Sequence, residues 1–136
     1  MIKIKWIDGM KFYAYGPSNH LTVMDSSPDV GGDDTASRPM EVFLFSLGGC
    51  TGMDAISILR KMKQKVTDFW IDIESERASE HPKVYTKVRL SYYFKGKGLN
   101  SKMVEKAVKL SQDKYCSISE MIRKTAKLEY EIKILE

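Results

Sequence analysis

From Glu41 to about Lys63 the chain reads as one long helix that is apolar on almost every face, with Val42, Phe43, Leu44, Phe45, Leu47, Met53, Ala55, Ile56, Ile58 and Leu59 leaving no polar stripe. A helix that is apolar all round is buried all round. A chain of 136 residues rarely encloses one helix completely, so a second copy is the natural cover. Pro39 suits the first helical turn because its φ is fixed and it has no N–H to leave unpaired. Glu41 in that turn complements the positive end of the helix dipole. Gly48, Gly49 and Gly52 each cost about 1 kcal/mol relative to alanine inside a helix. Three together predict a bend or a close crossing by another backbone.

Around this helix the sequence alternates. Residues 2–7 and 11–15 read as strands joined at Asp8-Gly9, the mark of a tight hairpin, and a third strand covers His20 to Asp25. Residues 26–37 form a loop with Pro28, Gly31-Gly32 and Asp33-Asp34; a cation site at the two aspartates is less expected than a solvated turn. Val66 to Ala78 and Val84 to Phe94 alternate again across a turn at His81-Pro82. Asn100 or Ser101 caps a helix through Gln112, Ser117 caps a short one through Lys124, and Leu128 to Leu135 is a last strand. The order βββ, long helix, ββ, αα, β predicts one α+β domain over residues 1–136, with antiparallel sheets around the long central helix.

Composition narrows the function. The net charge of +4 is mild, and its lysines are interspersed with acids, so no nucleic-acid partner is expected. No apolar run is expected to reach the roughly 20 residues of a membrane span. The first residues, Met-Ile-Lys-Ile-Lys-Trp, alternate like a strand rather than a signal peptide. A cytoplasmic location follows as the expectation, and thiols there are kept reduced.

The chain has two cysteines. Cys50 stands in Gly-Gly-Cys-Thr-Gly, where little side-chain bulk blocks the approach of another group, as a nucleophilic thiol requires. Cys116 stands in Lys-Tyr-Cys-Ser-Ile-Ser between two helical segments. A sulfenic acid on Cys50 would condense with a nearby thiol to a disulfide, which makes Cys116 either the candidate resolving thiol or an inert buried residue. A nucleophilic thiolate needs a cation close by. Arg38 is the only arginine before Cys50 but stands about 18 Å back along a straight helix. Contact between them calls for a bend or a partner's arginine, and the same holds for Glu41. Neither His20 nor His81 joins the cysteines in a metal-ligand spacing such as Cys-x-x-Cys, so no metal is expected. Trp6, Trp70, Tyr85, Tyr92 and Tyr93 fall in alternating strands and are expected to pack across them.

The run Arg38-Pro-Met-Glu-Val-Phe-Leu-Phe-Ser-Leu-Gly-Gly-Cys-Thr-Gly-Met-Asp54 resembles the peroxidatic-cysteine helix of the OsmC/Ohr family, the osmotically induced and organic hydroperoxide resistance proteins. The segment around Cys116 is similar to that family's second-cysteine motif, and the order of elements fits along nearly the whole chain. The resemblance implies an OsmC-like fold in an intertwined homodimer, with two long helices buried between sheets. It also implies a thiol peroxidase in oxidative-stress defence that uses no metal or haem. Cys50 would attack the peroxide, Cys116 would resolve the sulfenic acid, and an external dithiol, often a protein-bound lipoyl group, would reduce the disulfide. Two positions depart from the family pattern. Family members carry an activating arginine in their amino-terminal strands, where this chain has none, and a glutamate directly after the proline, where this chain has Met40. Arg38 and Glu41 are the candidates for that activating pair by chemistry, not by matching position.

The expectation is therefore a cysteine-based reductase of organic hydroperoxides, with Phe43, Leu47 and Met53 offering apolar contacts to an alkyl group. The alternatives are a non-catalytic dimer that binds a small molecule or senses redox state, and an accessory protein acting on sulfur metabolites through Cys50.

Overall fold

The computed structural model describes residues 1–136, which cluster as two units, 1–45 and 46–136. In the first, β1 (Lys3–Trp6), β2 (Phe12–Tyr15) and β3 (Thr22–Met24) form an antiparallel meander. The β1–β2 turn falls at Asp8-Gly9 as expected, with Gly9 and Met10 at its centre: Gly9 takes a φ of +51°, and the Lys11 N–H donates to the Asp8 carbonyl at 2.8 Å. The loop after β3 is gathered by Asp25, which is 2% exposed. Its carboxylate accepts from the Ser26 N–H (2.7 Å), the Thr35 N–H (3.0 Å) and the Thr35 hydroxyl (2.6 Å). The Thr35 hydroxyl and these backbone donors hold the Asp25 carboxyl down at about 2. Asp33 pairs with Lys11, and Asp34 with Arg38 at 2.7 Å, so both carboxylates have protein partners.

Helix α1 (Pro39–Lys61) is 23 residues long, close to the predicted span. The Glu41 carboxylate reaches back to accept from the Arg38 N–H at 2.9 Å, a capping contact that satisfies a free donor ahead of the first turn. At the other end Lys63 is left-handed (φ +57°). Its N–H bonds to the Arg60 carbonyl and the Gln64 N–H bonds to the Leu59 carbonyl, a Schellman closure. The expectation that no apolar run reaches spanning length is corrected here. By length and composition α1, with a mean hydropathy of 1.6 over its most apolar window, is sufficient to cross a bilayer. Glu41, Arg60 and Lys61 stand near its ends and Asp54 is the one charge between them, and the glycines and serines interrupt the apolar character too little to shorten the run. One stripe, Leu47, Thr51, Ala55 and Leu59, is nevertheless buried within the protein, as in a core helix.

In the second unit, β4 (Asp68–Arg77), β5 (Tyr85–Lys95) and β6 (Lys127–Leu135) form a sheet with β5 in the middle. Val88, Leu90, Tyr92 and Phe94 of β5 have no exposed surface. Phe69 stacks on Phe94 with ring centroids 4.3 Å apart and Trp70 on Tyr93 at 5.0 Å, the second being the cross-strand packing expected of Trp70 and Tyr93, whereas Trp6 is exposed. Helical hydrogen bonding in α1 continues through all three glycines. A Cβ on Gly48 would lie 3.3 Å from Ile73 Cδ1, and one on Gly52 3.6 Å from Ile71 Cδ1. The close approach predicted for these glycines is thus to β4 side chains rather than to another backbone.

The antiparallel character expected holds for β1–β2–β3 and for β4–β5, and β6 joins β5 in parallel. The chain between them runs through α2 (Ser101–Leu110) and α3 (Ser117–Arg123), and a helical crossover returns a strand in the same direction. Asn100 caps α2 through the Lys102 and Met103 N–H groups, as its sequence position predicts.

Candidate active site

Cys50 lies midway along α1 and is half-buried; Cys116 is buried. Between α2 and α3 the chain makes a π-helical turn over Ser111–Tyr115, closed by the Cys116 N–H donating to the Ser111 carbonyl at 2.7 Å. The wider turn delivers Cys116, not Ser117, to the cap position of α3, where its sulfur accepts from the Ser119 N–H at 3.4 Å. The Cys50 sulfur accepts in turn from the Ile118 N–H and shares a hydrogen bond with the Cys116 thiol. The two sulfurs and a carboxylate oxygen of Asp54 all lie within 4.8 Å of one another.

Asp54 follows Cys50 by one helical turn, which puts both on the same face of α1. Its carboxylate ends a buried hydrogen-bonded chain. Ser111 Oγ donates to Asp54 Oδ2 at 2.8 Å, Thr51 Oγ1 is 2.7 Å from Ser111 Oγ, and Tyr92 Oη is 2.7 Å from Thr51 Oγ1. Gln112 Nε2 donates to Tyr92 Oη at 2.7 Å, and Gln112 Oε1 accepts from Arg123 Nη1 at 3.1 Å. With the Arg123 guanidinium and the Gln112 NH2 group able only to donate and the Asp54 carboxylate set to accept, each hydroxyl accepts from one side and donates to the other, so the donors run from Arg123 toward Asp54. Burial pushes the Tyr92 hydroxyl up to about 12, so it keeps its proton.

The surroundings of Cys50 favour its thiol form and do not supply the nearby cation that a nucleophilic thiolate calls for. Burial pushes the Cys50 thiol up, the hydrogen bond with Cys116 and the charge of Asp54 add to this, and only the Ile118 N–H pulls it down. Arg38 is engaged by Asp34 and by the Ala36 carbonyl at 3.0 Å, and Glu41 by the Arg38 N–H. Leu47 is wholly buried and packs as core, whereas Phe43 and Met53 are exposed, Met53 at 76%. Beside Cys116 a cavity of about 410 Å³ is lined by Lys114, Tyr115, Ser117, Met121 and Arg123 among others.

Sequence reasoning found the cysteines and missed Asp54, Thr51, Tyr92, Ser111 and Gln112. A signal for Asp54 was present in its spacing from Cys50. The others come from three separate elements and have no local motif.

The family model described as OsmC-like protein matches residues 31–131. Protein YhfA of Escherichia coli K12 is 34% identical over 133 residues, which cover 98% of this chain and 96% of YhfA. Among solved structures, a hypothetical protein from Aquifex aeolicus VF5 is 30% identical with a TM-score of 0.81, over 100% of this chain and 97% of that one. An organic hydroperoxide resistance protein OsmC from Legionella pneumophila, 17% identical, shares the fold with a TM-score of 0.71 over 98% and 95% of the two chains.

Proposed function

The chain belongs to the OsmC-like family, and from that membership we propose that it is a thiol-dependent peroxidase that reduces organic hydroperoxides to alcohols. The observation that carries this reading is the meeting of the Cys50 and Cys116 sulfurs within 4.8 Å, each accepting a backbone N–H from the start of α3. The Cys50 thiolate attacks the terminal oxygen of the hydroperoxide, the O–O bond breaks, and the departing alkoxide takes up a proton to leave as alcohol. Cys50 is then a sulfenic acid. The Cys116 thiolate attacks its sulfur, water leaves, and a disulfide forms. An external dithiol of the lipoyl type restores both thiols, and the cycle needs no resident cofactor.

The half-buried Cys50 is the thiol that meets peroxide, and the buried Cys116 is kept for the second step. Because its surroundings hold the Cys50 thiol up, fast attack needs a cation to favour the thiolate. Arg38, with Glu41 beside it in the first turn of α1, is the group proposed for this role, delivered by the second copy of a homodimer. The apolar groups proposed for the alkyl chain are Phe43 and Met53, whereas Leu47 is wholly buried and packs as core. Support for a homodimer comes from the apolar side chains left exposed, among them Phe45 (58%), Met53 (76%), Ile4 (58%) and Trp6 (59%). A reducing, cytoplasmic setting is proposed with it, since the cycle starts from two free thiols.

The test is consumption of cumene hydroperoxide and of hydrogen peroxide with dihydrolipoamide or dithiothreitol. Wild type should consume the organic peroxide faster, and Cys50→Ser should not consume it above background. Equal, slow loss in both proteins would rule the activity out.

A further inference from the structure

We propose that the reduced protein binds one thiophilic divalent cation of the zinc class through Cys50, Asp54 and Cys116. The three ligand atoms already lie within 4.8 Å of one another. Bonds of about 2.3 Å to sulfur and about 2.0–2.2 Å to oxygen in a tetrahedral site place such atoms about 3.5–3.8 Å apart, so small side-chain rotations would gather them. The ligand types match the ion: two soft thiolates and one carboxylate, with water for the fourth position. Cys50 and Asp54 are only half-buried, which leaves that position within reach of solvent.

The surroundings of Asp54 fit the role. A ligating carboxylate is normally held by a further hydrogen bond that fixes its orientation. Here Ser111 donates to one Asp54 oxygen at 2.8 Å, and Ser111 is itself fixed by Thr51, Tyr92 and Gln112. Cys116 is equally constrained, by the π-helical turn on one side and the Ser119 N–H on the other. No sequence motif announces such a site. One pair of ligands is a single turn apart on α1, and the third caps a helix far along the chain.

Cation binding and disulfide formation exclude each other. When a hydroperoxide takes two electrons from the two thiols and the sulfurs join, both thiolate ligands are gone and the ion is released to solvent. This release rests on the proposed peroxidase chemistry; binding to the reduced protein does not.

The experiment is a zinc titration of the reduced, full chain against a colorimetric chelator, with cobalt substitution to read geometry. Wild type should take up one zinc per chain, and cobalt should give the spectrum of a tetrahedral thiolate site. Cys50→Ser and Cys116→Ser should abolish stoichiometric uptake, and protein oxidised to the disulfide should take up none. Asp54→Asn, near-isosteric and checked for folding by circular dichroism, should bind about tenfold or more weakly, while Asp54→Glu should retain most of the affinity. Less than one zinc per chain in wild type, or undiminished affinity in Asp54→Asn, overturns the proposal. Peroxide turnover is measured separately on chelator-treated protein. Stoichiometric zinc without turnover would remove the peroxidase reading and leave the cation site standing, and the converse result would do the opposite.

Discussion

The sulfur of Cys116 caps helix α3 by accepting from the Ser119 N–H at 3.4 Å, and from that position it stands within 4.8 Å of the Cys50 sulfur on α1. A cap residue is fixed in direction by the helix it begins. The encounter of the two thiols is therefore set by backbone geometry and not left to side-chain freedom.

The charge of Asp54 opposes ionisation of Cys50, after burial and the contact with Cys116. Asp54→Asn removes a negative charge beside the thiol, so the thiolate becomes easier to form and its titration moves to lower pH. The rate of iodoacetamide alkylation of Cys50, followed against pH in metal-free protein, should show its midpoint shifted down. An unchanged or raised midpoint would mean that Asp54 does not act on this thiol.

Thr51 is fully buried, with its hydroxyl 2.7 Å from both Tyr92 Oη and Ser111 Oγ. Thr51→Val keeps the shape and removes the link, leaving buried hydroxyls short of a partner at a cost of about 1–3 kcal/mol. Urea unfolding should report that loss. Ser111 would also hold Asp54 less firmly, so the alkylation midpoint of Cys50 should move in the same variant.

Asp25 links the stability of the first unit to acid. Its folded pKa of about 2 lies below the ordinary 3.8, so its contribution is present in full above that ordinary value and is lost as pH falls from about 3.8 to about 2. Thermal unfolding between pH 5 and pH 2, on the order of the carboxylate range, should show wild type losing more stability than Asp25→Asn. Parallel curves would show that the Thr35 and Ser26 contacts do not favour the charged form.

Lys63 closes α1 in the left-handed conformation, with φ at +57°. Side chains with a Cβ are strained there by about 1–2 kcal/mol, and glycine is not. Lys63→Gly should therefore stabilise the protein by about 1 kcal/mol in chemical denaturation, less whatever chain entropy the glycine adds to the unfolded state. Destabilisation would mean that the lysine side chain contributes more than the strain removes.

Much of the fold is legible in the sequence because local signals and the final structure agree. Gly9 can take the positive φ its hairpin needs, Asn100 can cap, and the alternation around Trp70 and Tyr93 fits a pleated sheet. The direction of β6 is not legible, since parallel and antiparallel strands alternate alike. Ser117 looks like the cap of α3 because serine is the usual cap residue, and only the π-helical turn before it moves Cys116 into that place. Tyr92 reads as a packing residue and is one, against Phe69 and Phe94, but its hydroxyl also enters a polar chain assembled from α1, β5 and the turn after α2. The cysteines stand out by their setting. The carboxylate beside them does not, because aspartates on helices are ordinary and only the fold gives this one two thiol neighbours.

The most direct measurement is a single turnover. Reduced protein is mixed with one equivalent of cumene hydroperoxide, and the products are read by mass spectrometry with and without prior digestion. The account predicts one equivalent of alcohol, a protein lighter by two hydrogens, and a linked peptide pair containing Cys50 and Cys116; Cys116→Ser should stop at the Cys50 sulfenic acid. Unreacted hydroperoxide, or alcohol formed with both thiols still free, would contradict it.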